Sequence, residues 1–350
     1  MPRQMGELRR LNVEWNDLVQ IARGRGMRYV MLESGRRVRL VPRAHFQMAR
    51  VEARDRVRSL RNSVAPYFAP TVSGAADQDT FGVEIEMIMP QRMRDEELAQ
   101  AIRDAGVLCQ AERYNHITRT HWKVTTDSSL GSGGREIVSP PLSGEAGLEQ
   151  VRRVCSTLIS RGCRVNLRCG LHVHIGAQRH QDIGWFKNML EMNVHFESAI
   201  DSFMAPSRRR GGRGSYFCEP IRLVRAAFDG AINLSQLCTA VGQPQHQGAR
   251  SVYRYRRVNL LSFLQYGTIE FRQHQGTVEP QKTEMWVRLL LRMAKKAAEL
   301  GTDAMRSALA NGRTLEAMLH FLECDAGERS YFIERRNYFA NMAYNPAAFA

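Results

Sequence analysis

Phe81-Gly82-Val83-Glu84-Ile85-Glu86-Met87 alternates apolar and acidic residues. Side chains along a strand alternate between its two faces. The segment therefore reads as a strand with Glu84 and Glu86 on one face and Val83, Ile85 and Met87 turned into a core. Two carboxylates held side by side repel each other and shift each other's pKa. A hard cation such as Mg2+ lying between them relieves that cost. A strand with one solvated acidic face is the plain alternative, and further segments decide against it by repeating the theme.

Asp127-Ser128-Ser129 is followed by Arg135-Glu136-Ile137-Val138-Ser139-Pro140-Pro141. Glu136 lies on a short strand that two prolines end, because proline has no N–H to give a ladder. Cys169-Gly170-Leu171-His172-Val173-His174 puts His172 and His174 on one strand face. Neutral imidazoles so placed suit a metal or a phosphate, and a satisfied histidine pair is the alternative. Gly267-Thr268-Ile269-Glu270-Phe271-Arg272 aligns Thr268, Glu270 and Arg272 against Ile269 and Phe271. Glu270 and Arg272 can pair with each other. Alternatively Glu270 holds a metal and the planar fork of Arg272 meets a phosphoryl group. One sheet face carrying four Glu, two His and an Arg makes a poor core and a good Mg–nucleotide site. No P-loop and no kinase-type glycine-rich loop is present.

The 350 residues are enough for one large domain with an appendage, or for two domains. Strands and helices follow one another without strict βαβ alternation, which predicts an α+β fold with a largely antiparallel sheet. Residues 1–75 read as a basic accessory module and 76–350 as the main domain, with a helical tail from about 302. The module holds fifteen Arg against six acidic residues in a chain whose net charge is +15. Such a balance suits an acidic macromolecule, nucleic acid or a phosphorylated small molecule, or simply a solvated surface. Within it, 29–41 reads as a β-hairpin, 48–60 as a charged helix and 65–76 as a linker. Beyond it, helices are expected at about 95–105 with Asp95 as cap, at 144–160, at 182–204 and at 281–300. Strands are expected at 81–89, 122–126, 136–139, 168–175, 257–263 and 267–273. The Arg-rich stretch 207–214 reads as a mobile basic loop. The seven cysteines are scattered and contain no C-x-x-C pair, so reduced, packed thiols are expected rather than disulfides or structural zinc. No apolar run is long enough to span a membrane and the N-terminus has no apolar signal core, so a cytoplasmic protein is expected.

Together these motifs, with Gly170-Leu171-His172-Val173-His174, Arg254-Tyr255, Asn259-Leu260 and the continuation of Arg272 through His274, Gly276 and Thr277, resemble the amidoligase family. That family belongs to the carboxylate–amine ligase superfamily, with glutamine synthetase and glutamate–cysteine ligase. The resemblance covers roughly residues 80–300. It implies a curved, mainly antiparallel sheet forming an open funnel backed by helices. It implies that Glu84, Glu86, Glu136, His172 and Glu270 bind Mg2+ (or Mn2+), that His174, Arg254, Asn259 and Arg272 face ATP, and that Arg272 stabilises the transferred phosphoryl group. Asp127 is the candidate to orient or deprotonate an attacking amine. The implied activity is ATP-dependent ligation of a carboxylate to an amine through an acyl phosphate, with amino acid, peptide and protein substrates all open. A phosphotransferase on the same fold, or a non-catalytic protein that docks nucleic acid or a particle through its arginines, are the alternatives.

Overall fold

The computed structural model describes residues 79–180, 182–212 and 215–341, together with the strand segments 29–31 and 37–39. Those two segments, β1 (Tyr29–Met31) and β2 (Arg37–Arg39), pair antiparallel, in agreement with the expected hairpin. They belong to a unit separate from residues 79–339. The helix expected at 48–60, the linker and boundary near 76, and the end of the tail from 342 lie outside the described residues.

The second unit is built on one eight-stranded sheet. Its strands are β3 (Thr80–Ile88), β4 (Cys109–Ala111), β5 (Trp122–Thr126), β6 (Gly134–Val138), β7 (Leu142–Ser143), β8 (Gly170–Gly176), β9 (Val258–Asn259) and β10 (Thr268–Gln275). The order is β4-β5-β6-β3-β8-β10-β9, with β7 also on β3. Every pairing is antiparallel except β4 with β5. The sheet is thus open and mostly antiparallel, as the alternating segments predicted. Its central strand is β3, the segment that carries Glu84 and Glu86.

Period-two alternation gives this sheet two unlike faces. One face points Phe81, Val83, Ile85 and Met87, Leu171, Val173 and Ile175, and Ile269 and Phe271 into a single hydrophobic core. Helices complete that core. Helix α1 (Asp95–Asp104) buries Leu98, Ala99, Ala101 and Ile102, and α2 (Gly144–Ser160) buries Leu148, Val151, Val154, Cys155 and Leu158. These spacings of three and four put a stripe on one side of each helix. The cap of α1 is Arg94 rather than Asp95. Glu97 reaches back to the Arg94 N–H at 3.2 Å, and Asp95, inside the first turn, pairs with Arg135.

The expected helix at 182–204 is two: α3 (Ile183–His195), capped by the Asp182 carboxylate, and α4 (Glu197–Phe203). They part at Phe196, whose buried ring packs on Phe321. Short helices α5 (Arg225–Gly230), α6 (Leu234–Ala240) and α7 (Phe263–Tyr266) follow. The long α8 (Pro280–Glu299) contributes Trp286, Leu289, Leu290 and Met293 to the core, and α9 (Thr302–Leu309), α10 (Leu315–Phe321) and α11 (Ala326–Asn341) close the tail. The strand expected at 257–263 is only two residues long, because Phe263 already opens α7.

Two expectations change at residues 207–214. Pro206–Arg208 is a 3-10 turn, not a loose loop. Arg208 is buried and donates to the Cys169 carbonyl at 2.6 Å. All seven cysteines are free and buried, and no helix among the described residues is long and apolar enough to cross a membrane.

Candidate active site

The other face of the sheet is polar where a sheet ordinarily packs or meets water. Register decides which residues meet. Glu86 lies opposite Glu136 and Glu84 opposite Val138 across β3 and β6. Glu84 also lies opposite His172, and Gly82 opposite His174, across β3 and β8. His174 in turn faces Glu270 on β10, and Glu270 faces Asn259 on β9. The strands that the sequence aligned separately are therefore neighbours, and their polar residues form one continuous floor. At Gly82 the floor is left low, because the glycine has no side chain beside His174.

The floor is tightly connected. His172 Nδ1 is 3.1 Å from Glu84 Oε2 and 3.6 Å from Glu270 Oε1, and its Nε2 is 3.8 Å from Glu86 Oε1. His174 Nδ1 is 2.8 Å from Thr268 Oγ1 and 3.2 Å from Ser262 Oγ. Those hydroxyls fix the ring and turn Nε2 to the floor, 3.3 Å from Glu84 Oε1. That Nε2 is buried and makes no hydrogen bond. The Gly170 N–H donates to Glu86 Oε2 at 2.6 Å. Asn259 Nδ2 donates to Glu270 Oε2 at 2.6 Å, and the Arg272 guanidinium pairs with the other oxygen of Glu270.

Arg272 keeps the face of Glu270, two residues before it, while β10 turns irregular beyond Phe271. Between Phe271 and His274 the register with β8 shifts, while on the β9 side the Arg272 N–H bonds to the Arg257 carbonyl at 2.9 Å. Bulges of this kind re-aim a side chain. The Arg272 guanidinium lies 5.7 Å from the centre of the Tyr255 ring, and its Nε donates to the Phe217 carbonyl at 3.3 Å. His274, past the bulge, leaves the floor and packs near Trp286.

Charge crowding sets the protonation of the floor. Burial pushes the Glu136 carboxyl up, and the charges of Glu84, Glu86 and Asp127 push it further. Desolvation would raise the half-buried Glu84 too, yet His174 and His172 outweigh it and hold its carboxyl well below the usual range. Burial is likewise outweighed at Glu270, by Arg272, His174 and His172, and its carboxyl is lowered. His174 is raised, since Glu84 and Glu270 more than offset its burial.

Three overlapping groups bring ligand atoms within 4.8 Å of one another: Glu84 with Glu136 and His172, Glu84 with His174 and Glu270, and Glu86 with Asp127 and Glu136. The third is all oxygen, which suits a hard cation such as Mg2+. The other two add an imidazole, which Mn2+ also accepts. Asp127, which ends β5 and caps the next turn through Ser129 N–H at 2.8 Å, thus stands among these groups.

Above the floor is a cavity of about 1120 Å³. All ten candidate residues, including Arg254 and Asn259, line it. Arg254 stacks on Tyr255 at 5.2 Å and has a buried Nε without a hydrogen bond. Several lining residues were not singled out from sequence. Lys123 is buried on β5, in the row that runs through Val138 to Glu84. Tyr266 stands edge-on to His174, and Arg208 reaches the Gly170 end of the floor. Lys123 carries the same period-two signal as Glu84 and Glu86, so spacing alone could have found it.

The family model described as "Putative amidoligase enzyme" matches residues 77–294. The chain belongs to that family. The amidoligase span contains all ten candidate residues and the whole sheet of the second unit. Among solved structures, a crystal structure of a novel glutamine synthase homolog is similar at 10% identity and a TM-score of 0.37, over 77% of this chain and 68% of that one. A Plasmodium falciparum glutamine synthetase is similar at 10% identity and a TM-score of 0.33, over 63% of this chain and about half, 51%, of that one. No curated protein matches the amidoligase chain in sequence.

Proposed function

We propose that this amidoligase is an ATP- and Mg2+-dependent carboxylate–amine ligase that forms an amide through an acyl phosphate. The observation that supports it most is the convergence of Glu84, Glu86, Glu136 and Glu270 with His172 and His174 on one floor, ended by Arg272. The donor set fits divalent ions: one group is all carboxylate, and the other two each join two carboxylates to an imidazole. Glu84, Glu86, Glu136, His172 and Glu270 are the residues that would hold them, with Asp127 close beside. Mg2+ held there would neutralise phosphate-oxygen charge that otherwise repels an incoming carboxylate.

This chain's own groups do the rest. His174, fixed by Thr268 and Ser262, and Arg254 and Asn259 face the nucleotide. An oxygen of the substrate carboxylate attacks the γ-phosphorus of ATP and the bond to ADP breaks, leaving an acyl phosphate. Arg272, with its planar fork, meets the charge that develops on the transferred phosphoryl oxygens. A neutral amine then attacks the acyl carbon and phosphate leaves. Asp127, an acidic group at the Glu136 end of the floor, takes the amine's proton.

The test is thermal stabilisation by Mg–ATP in the wild type and in Glu270→Gln. A ligand at a hundred times its dissociation constant adds about 2.7 kcal/mol to the folded state. The expected result is a shift that needs Mg2+ and collapses in the variant, followed by ADP release and an amide product when acids and amines are supplied. A stable phosphoramidate or phosphate ester as product would mark a phosphotransferase instead, and no Mg–ATP shift would end the nucleotide reading.

A further inference from the structure

The floor accounts for the bottom of the cavity but not for its mouth. Tyr114, Ile117, Leu167 and Phe217 all line the cavity while remaining 57%, 54%, 50% and 46% exposed. Large apolar side chains scattered singly on a surface need no explanation, whereas several around one opening mark a binding site. Tyr114 and Ile117 sit on the segment 112–121 between β4 and β5, and Leu167 lies just before β8.

The segment 112–121 is built to be rigid. Glu112 is its hub, 2.8 Å from Asn115 Nδ2, 3.0 Å from Arg119 Nη2 and 2.7 Å from His121 Nε2. Lys123 rises from the floor to meet it. Its Nζ donates to Asn115 O at 3.1 Å, Asn115 Oδ1 at 3.2 Å and Ile117 O at 3.1 Å. An ammonium has three N–H donors and no acceptor, so this buried lysine gives all three to the loop. Tyr266 Oη, from the far wall, lies 3.3 Å from His116 Nδ1. Spending a buried charge to fix a loop whose tip carries exposed Tyr114 and Ile117 makes sense for a preorganised wall that another molecule meets.

The charge at the mouth indicates which molecule. Arg168, next to Leu167, and Arg250 both line the cavity, are exposed, and make no ion pair among the described residues. Two of the four, Ile117 and Leu167, offer no flat ring on which a base stacks; Tyr114 and Phe217 do, and the oligonucleotide arm of the test below separates that occupant. Aliphatic and aromatic contacts interleaved with free guanidinium groups suit a polypeptide that carries carboxylates.

We propose that the mouth takes an acidic polypeptide segment, which presents a carboxylate to the floor as the acceptor of ligation, and that Lys123 is a positioning residue that holds half of the rim. This rests on the ligase reading and names its substrate class.

The experiment uses the full chain and a fluorescein-labelled ten-residue peptide of alternating Glu and Leu, followed by anisotropy. The peptide is expected to bind, with free glutamate competing at least about a hundredfold less well. Ile117→Ser and Leu167→Ser are each expected to weaken binding on the order of tenfold, the loss of one buried aliphatic contact. Arg250→Gln is expected to weaken it and to flatten its salt dependence. Lys123→Met is expected to weaken it and to speed hydrogen exchange in 112–121, which Ile117→Ser leaves slow. Equal molar competition by glutamate, indifference to both serine substitutions, or tighter binding of a ten-residue single-stranded oligonucleotide would each overturn the proposal. The two serine variants lie on the surface in different segments, so the test stands even if Lys123→Met fails to fold. Mg–ATP stabilisation is read on the same samples. If it is present while peptide binding fails, this proposal alone falls; if it is absent in the wild type, the ligase reading falls first.

Discussion

Glu86 and Glu136 face each other directly across the β3–β6 ladder. Like charges in that position destabilise a sheet, by up to about 1 kcal/mol for a pair. Here the cost is aggravated by Glu84 and Asp127, and it shows in the raised Glu136 carboxyl. A protein keeps such a pair when something other than folding stability requires it.

Glu136→Gln is therefore expected to raise the metal-free melting temperature, by an amount corresponding to about 1 kcal/mol. The same change is expected to remove most of the stabilisation by Mg2+. Thermal unfolding with and without Mg2+ checks both halves. A variant that loses stability without Mg2+ would show that Glu136 has a purely structural partner.

Arg272→Lys is expected to slow turnover on the order of a hundredfold, because an ammonium cannot reproduce the bidentate fork. Glu270 needs gentler handling than truncation. Arg272 and Asn259 both lean on its carboxylate, so Glu270→Ala leaves a buried guanidinium unpaired, at a cost of roughly 3–5 kcal/mol. Glu270→Gln keeps the shape and is expected to lose Mg–ATP binding at a much smaller loss of stability. Chemical unfolding of the two variants side by side distinguishes the effects.

Metal affinity is expected to depend on pH with a definite sign. The Glu136 carboxyl is held above its ordinary range by burial and by neighbouring carboxylates. A ligand must lose its proton to bind, so Mg2+ affinity rises with pH through that raised pKa, by at most about tenfold per unit, and then levels off. Calorimetric titrations in buffers of different ionisation enthalpy read the released proton. Affinity that falls as pH rises would contradict the assignment.

Glu112 offers a pH signal away from the floor. Burial alone would raise its carboxyl, but Arg119, His121 and Asn115 outweigh it and bring it down to about 2. A carboxyl whose folded pKa lies below its unfolded value stabilises the protein above the unfolded pKa, and that contribution fades as pH falls through the folded one. Wild type is thus expected to exceed Glu112→Gln in stability above about pH 4.5, with the gap closing towards pH 2. Denaturant titrations across that range follow the gap.

Much of the floor was legible because a strand's period is two. Glu84 with Glu86, His172 with His174, and Glu270 with Arg272 could each be assigned to a common face from spacing alone. Which strands adjoin is a property of long-range pairing, and spacing does not carry it. The family resemblance supplied the expectation, and the register of β6, β3, β8, β10 and β9 agrees with it. The bulge that takes His274 away from the floor is invisible to a periodic reading, which treats β10 as regular. Arg208 departs from expectation for a different reason. A run of arginines and glycines looks solvated, yet this guanidinium is buried against the Cys169 carbonyl, a tertiary contact that composition does not encode. The break at Phe196 likewise reflects a core position claimed by one ring rather than any helix-breaking residue.

The floor draws its carboxylates and imidazoles from segments spread between Glu84 and Glu270, and the last of them arrives on β10, the strand between β8 and β9. Contacts so distant along the chain form late, after loop-closure entropy has been overcome. A chain emerging during synthesis has its two central carboxylates early and lacks Glu270 until most of the molecule exists. In the proposed ligase, tight capture of ions would consequently be a readout of completed assembly, and a partly folded chain would expose its acidic strand without being able to use it.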